Sequence, residues 1–310
     1  MNRRDFLIRA GAGTGAALAL GGTAYAMSPN LRLERITMRF PRLPEQFDGF
    51  KVLQLSDLHM GTYDVCVRLL EEAVDAARRE KYEVLAITGD FLDQLARNRA
   101  HGVETGLRRL QPLLKQEAPV LFVPGNHDNS ARLLDFRQEL ESAGMEILVN
   151  RAHTLERDGG RIHLIGLDDM YSGRYDFDAA TAGVPQDEFR ILLQHNPDYV
   201  EYHEAGRYDL QLSGHFHGGQ IRLPLLGAPA VPSRFGRKYL CGIKEHKGHR
   251  LYVTRGIGMT LIPLRVDCPA EVSLIELRVG SESPTPSDAT QHPARSTQHI
   301  SPIPRNGGAS

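Results

Sequence analysis

Three things are scarce in this 310-residue chain, and each scarcity narrows what it can be. Cysteine is the first: Cys66, Cys241 and Cys268 are the whole complement. So few thiols exclude a disulfide-stapled miniprotein, and their spacing is not that of a thiolate metal site. Cys66 falls in an apolar helical run, where packing accounts for it; whether Cys241 and Cys268 pair stays open at this level. Surplus charge is the second: 37 Lys and Arg stand against 38 Asp and Glu, a net charge of −1. Nonspecific nucleic-acid binding through a basic face therefore has no support. The third is a long apolar run. Ala10 to Ala26 comes nearest, but it is diluted by glycine and shorter than the roughly 20 apolar residues of a membrane span. What remains is ordinary globular composition, with 41% hydrophobic and 24% charged residues, enough to bury a core.

Both ends differ from the middle. Residues 1–26 read as a targeting segment: Arg3-Arg4-Asp5-Phe6-Leu7, a Gly/Ala-rich stretch, then Ala24-Tyr25-Ala26 as an A-x-A cleavage site before Met27. The paired arginines before Phe6-Leu7 resemble a twin-arginine (Tat) export signal, read by machinery that carries folded proteins, although Asn2 departs from its commonest form. The expectation is export to the periplasm or cell envelope, with a membrane tether if the segment is not cleaved. Residues 281–310 are rich in Pro, Ser, Thr, Gln and Gly, and are expected to be a disordered tail. Between them, 27–280 carries a net −3 and has the length of one large α/β domain.

Within that region short apolar runs alternate with helical patterns, the pattern of an α/β fold. Lys51–Ser56, Val84–Thr88 and Val120–Val123 read as strands. Helices are expected over Val65–Arg79, with Val67, Leu70, Val74 and Ala77 on one face, over Asn98–Lys115, and from a Ser130 cap to Ser142. Further strands are expected at Ile162–Gly166, Arg190–Gln194, Asp209–Leu212, Arg250–Thr254 and Val272–Leu277, with a helix start at Asn196-Pro197-Asp198. Two sheets from one chain are plausible on this count.

Polar residues collect directly after these strands: Asp57-Leu58-His59, Gly89-Asp90, Gly125-Asn126-His127-Asp128, His195 and Gly214-His215-Phe216-His217. Carboxyl ends of strands in α/β sheets meet in one crevice, so clusters far apart in sequence can converge. Asp57 and His59, like His215 and His217, are two apart and can point the same way on extended chain. With Asp90, Asn126 and His195 they make a ligand set too large for one ion. Two ions sharing a carboxylate suit it, and such a pair clamps in-line displacement at phosphorus.

In order and spacing these blocks resemble the calcineurin-like metallophosphoesterase family, over about residues 31–278. Ser56-Asp57-Leu58-His59, His195-Asn196-Pro197-Asp198 and Gly214-His215-Phe216-His217-Gly218-Gly219-Gln220 are similar to its exported phosphodiesterase-like subgroup. The resemblance implies two mixed β-sheets packed as a sandwich and flanked by helices, with the active site at strand carboxyl ends. It implies one metal on Asp57, His59 and His217, a second on Asn126, His195 and His215, and Asp90 bridging them. The ions would be Mn, Fe or Zn, with a hydroxide between them as nucleophile. His127 would protonate the leaving oxygen, and Asp128 would orient His127.

Arg255, in the Gly-rich turn Arg255-Gly256-Ile257-Gly258, and Arg265 are candidate anion-binding residues, with a plain turn and surface arginine as the alternative. Arg234, Phe235 and Tyr239 are candidates for a substrate wall. The substrate expected is a phosphoester, a phosphodiester before a monoester. A pyrophosphate bond of a nucleotide sugar or lipid precursor is the alternative, and a membrane-tethered or non-catalytic scaffold of the same fold is a third reading. Peripheral proximity to a membrane or cell wall fits the expected export.

Overall fold

A computed structural model describes residues 30–202 and 207–281, and the backbone of Thr297–His299. The targeting segment and almost all of the tail lie outside the described residues.

Two sheets face each other. The first has strand order β13-β1-β12-β2-β3-β4-β5, from β1 (Leu31–Phe40), β2 (Lys51–Leu55), β3 (Val84–Thr88), β4 (Val120–Val123), β5 (Met145–Ile147), β12 (Ala270–Val279) and β13 (Thr297–His299). The second has order β10-β11-β9-β8-β7-β6, from β6 (Arg151–Arg157), β7 (Gly160–Gly166), β8 (Phe189–Leu193), β9 (Leu210–Ser213), β10 (Gly242–His246) and β11 (His249–Val253). Both are mixed. β2, β3, β4 and β5 run parallel, as do β7, β8, β9 and β11, while β12 meets β2, β6 meets β7 and β10 meets β11 antiparallel. The short β13 pairs with β1, inside the stretch expected to be structureless.

The alternation of β1, β2 and β3 splits their side chains between two cores. Met38, Val52, Val84, Ala86 and Ile275 pack inward against Leu164, Ile191 and Leu212 of the other sheet. Leu53, Leu55, Leu85 and Ile87 face outward and are covered by α1 (Asp64–Ala77) and α2 (Arg99–Leu114). α1 buries Cys66, Leu70, Ala73, Val74 and Ala77, a stripe at helical spacing. α2 starts where Asn98 accepts a hydrogen bond from His101 N at 3.1 Å, a side-chain N-cap.

Ser130 does not cap a helix running to Ser142. Ser130 ends α3 (Asn126–Ser130); a 3₁₀ turn Leu133–Phe136 follows, and then α4 (Arg137–Ser142). Pro197–Tyr202 is likewise a 3₁₀ helix.

Candidate metal centre

The parallel strands send their carboxyl ends to one edge, and each of the five polar clusters follows such an end. β2 delivers Asp57 and His59, β3 delivers Asp90, β4 delivers Asn126 and His127, β8 delivers His195, and β9 delivers His215 and His217. The chain must turn sharply there. Asp57, His59, Asp90, His215 and His217 all have left-handed backbone, with φ of 55°, 50°, 54°, 72° and 49°. Side chains other than glycine adopt this region at a cost, and such strain concentrates at functional sites.

The side chains interlock. Asp57, His59 and His217 have ligating atoms within 4.8 Å of one another, as do Asp90, His195 and His215. His59 Nε2 and His217 Nε2 are 3.0 Å apart, and His217 Nε2 is 3.4 Å from Asp57 Oδ1. His215 Nδ1 is 3.2 Å from His195 Nε2. Asp90 stands between the two groups, its Oδ2 lying 3.1 Å from His195 Nε2 and 3.6 Å from His59 Nε2. Asn126, just after β4, has a buried Oδ1 with no hydrogen-bond partner.

This donor set fits cations. Facing imidazole nitrogens, and a buried amide oxygen with no partner, are costly when nothing binds them. Burial pushes His215 down to about 3 and lowers His217, so both offer lone pairs. Burial also opposes charge on His195, but Asp90 outweighs it and lifts the group to about 10. A cation held beside Asp90 would take the place of that proton. His195 Nδ1 lies 2.7 Å from Thr88 O; a carbonyl only accepts, so Nδ1 carries a hydrogen and Nε2 is the atom left for a ligand.

His127 edges onto His59 with ring centroids 4.6 Å apart. Gln94 N donates to its Nδ1 at 3.3 Å, so the neutral ring keeps its proton on Nε2. Burial works against charge on His127, yet Asp90 and Asp93 together hold it above the ordinary histidine value.

Asp93 has no place among the residues singled out by pattern, though it is fully buried between two site histidines. Its Oδ2 is 3.5 Å from His59 Nδ1 and its Oδ1 is 3.8 Å from His127 Nδ1. Burial opposes its ionisation, but the two histidines hold the carboxyl well below the usual range. The only signal in sequence is an acidic residue three positions after Asp90, which is too common to be informative.

Asp128 does not fill the orienting role expected of it. Its carboxylate accepts from Leu92 N at 2.8 Å and Gly125 N at 3.0 Å, fastening the β3 and β4 loops together. Burial and the neighbouring Asp90 raise it to about 7. Asp93 is the carboxylate that faces the His127 ring.

Arg255 and Arg265 also differ from the anion-binding expectation. Arg255 Nη2 meets Glu34 Oε1 at 2.7 Å and Glu271 Oε2 at 2.9 Å, and its Nε donates to Pro269 O. Arg265 Nη2 donates to the carbonyls of Arg255, Gly256 and Gly258 at 2.9, 3.1 and 2.6 Å, and Nη1 reaches His217 O at 3.4 Å. Both guanidinium groups are buried and engaged inside the protein. They brace the ligand loops, since Gly258 N in turn donates to Asp57 O at 2.7 Å. Of the expected substrate wall, Tyr239 is buried with its hydroxyl on Glu201, whereas Arg234 lies over the exposed Tyr171 ring at 5.6 Å. The three cysteines are free, with Cys241 accepting from Arg222 and Cys268 donating to His217 O.

Residues 50–219 match the calcineurin-like phosphoesterase family, a span that runs from β2 to beyond His217. The chain belongs to that family. It is therefore a metallophosphoesterase, a hydrolase acting on phosphoester bonds. Its metallophosphoesterase relative YkuE of Bacillus subtilis is 32% identical over 90% of this chain and 98% of its own length. Phosphodiesterase YaeI of Escherichia coli is 31% identical over 89% and 99%. A dimetal phosphatase from Danio rerio superimposes with a TM-score of 0.41 at 14% identity, covering 68% of this chain and 88% of that one.

Proposed function

We propose that this metallophosphoesterase is an exported phosphodiesterase working with two divalent transition-metal ions. The observation that carries the two-ion site is Asp90, whose single carboxylate stands within reach of both histidine groups. Asp57, His59 and His217 would hold one ion, Asn126, His195 and His215 the other, and Asp90 would serve both. Mixed nitrogen and oxygen donors suit Mn, Fe or Zn. When bound, such a pair acidifies water towards neutral pH and offsets phosphoryl charge.

The protein's own groups complete the chemistry. His127 holds a proton on Nε2 for the departing oxygen, with Asp93 and Asp90 keeping the ring readily protonated. The ligand loops are fixed before substrate arrives by backbone bonds such as Asp57 N to Gly89 O and His59 N to Asp90 O. The phosphodiesterase relative at 31% identity over nearly the whole length favours diesters among phosphoesters. Export rests on the N-terminal Arg3-Arg4 segment, and folding before export would let the cytoplasm select the metals.

The test is hydrolysis of bis-p-nitrophenyl phosphate by the purified protein with Mn²⁺. The wild type is expected to turn it over and Asp90→Asn to lose that activity; equal rates would overturn the enzyme reading. For export, a recovered chain that still begins at Met1 would contradict cleavage before Met27.

A further inference from the structure

Beside the metal centre the surface carries an apolar feature that catalysis does not use. Leu225 is 108% exposed, Leu226 63% and Leu261 39%, on two neighbouring turns. The first is a tight hairpin, closed by Leu223 N to Gly227 O at 2.9 Å and Gly227 N to Leu223 O at 2.8 Å, with Pro224, Leu225 and Leu226 at its tip. Leu225 and Leu261 both have left-handed backbone, with φ of 64° and 63°. Leucine is a poor residue for either condition: it gains nothing from water and strains such a backbone.

These turns are fixed to each other and to the site. The Gln220 side chain donates to Thr260 O and Ile262 O at 3.1 and 3.0 Å and accepts from Thr260 N. Arg222 N donates to Val266 O, and Arg222 Nε donates to Gly218 O at 2.7 Å, next to His217. The leucines thus stand on a braced platform at the edge of the metal centre.

The hairpin itself is flanked by basic residues: from Gly214 to Lys244 the sequence has five of them and no Asp or Glu. Lys238 is paired to Glu201, and the exposed Asp267 lies on the Leu261 side, next to Val266, whose carbonyl accepts from Arg222 N. Arg237 is exposed at the base of the hairpin, its guanidinium beside Gly227, and Arg234 is exposed nearby in sequence. A narrow apolar tip with a basic flank is the pattern of an interfacial anchor. A protein partner fits it less well, because a hairpin tip offers far less than the roughly 800 Å² per side of a standard interface, whereas a bilayer accepts single side chains.

We propose that the Leu225–Leu226 hairpin and the Leu261 turn dock this protein on an anionic lipid surface, presenting the metal centre to phosphoesters held at that surface. Docking itself does not depend on the phosphodiesterase reading.

The test is flotation of the full chain with phosphatidylcholine vesicles, with and without phosphatidylglycerol, comparing wild type with the double variant L225S/L226S. The N-terminal segment is common to both, so the difference reports the hairpin. Wild type should float with the anionic vesicles and be released by salt, and the variant should partition about tenfold less. Hydrolysis of soluble bis-p-nitrophenyl phosphate should be the same for both, which shows that fold and site are intact. Equal flotation of the two proteins would overturn the proposal. So would binding independent of phosphatidylglycerol, or a variant that changes only self-association in gel filtration.

Discussion

Five candidate ligand positions held in left-handed backbone imply that the site stores strain, of the order of 1–3 kcal/mol at each non-glycine residue. The strain places side chains of short reach, aspartate and histidine, at one point. Around them, residues that touch the reaction can be separated from those that position. His127→Ala should keep its metals yet lose about 10²–10⁴ in kcat. Asp93→Asn should also keep them and lose less, about 10–100-fold. Metal content measured alongside turnover checks both, and loss of metal in His127→Ala would contradict the proton-holding role. The candidate ligands were legible because polar residues interrupt apolar strand patterns at Asp57, Asp90, Asn126, His195 and His215. Asp93 was not, since an aspartate after Phe91-Leu92 breaks no pattern. Nor was the inward role of Arg255, whose partner Glu34 lies 221 residues away in sequence.

At the scale of elements, strand ends are pressed close enough that a methyl group matters. A Cβ on Gly125 would overlap both Oδ1 and the backbone nitrogen of Asp90, although the φ of Gly125, −105°, is open to any residue. Gly125→Ala should therefore displace the shared carboxylate and weaken metal binding on the order of tenfold or more, read by titration with a chelator. Away from the site, β7 and β8 are linked through Glu188, which Arg161 and His163 both contact. His163 first, and Arg161 with it, hold the Glu188 carboxyl below its usual range. A depressed folded value gives stability that is present above the unfolded value of about 4.3 and lost as pH falls through the folded one. Glu188→Gln should then cost about 1–2 °C in Tm near pH 7, a small amount because Arg161 is exposed and Glu188 only half-buried, and the gap should close below about pH 4. Strand positions were readable from apolar runs, as at Val84–Thr88 and Val120–Val123. α3 was not, because five residues are too few for a helical period to show, and Ser130 looked like a cap for what followed.

For the whole molecule, the sheets share one inner core whose residues run from Ile36 to Leu277, so early and late parts of the chain depend on each other. Arg255 is a lynchpin of that dependence, joining Glu34 on β1 to Glu271 on β12 beneath the ligand loops. Arg255→Ala leaves two buried carboxylates uncompensated and should destabilise by about 3–5 kcal/mol. Its KM for a soluble diester should stay near wild type, whereas an anion-gripping role would raise KM first. Net charge reads differently at this scale as well. The region 27–280 is acidic at −3, yet two divalent cations would add about +4 at one edge and make that edge attractive to phosphate.

The most direct measurement is metal content of the purified protein, wild type beside Asp90→Ala, by elemental analysis after gel filtration. About two equivalents in the wild type, falling to one or none in Asp90→Ala, is the result expected of a carboxylate shared by two ions. Less than one equivalent in the wild type, or an unchanged pair in Asp90→Ala, would contradict a dinuclear centre built around Asp90.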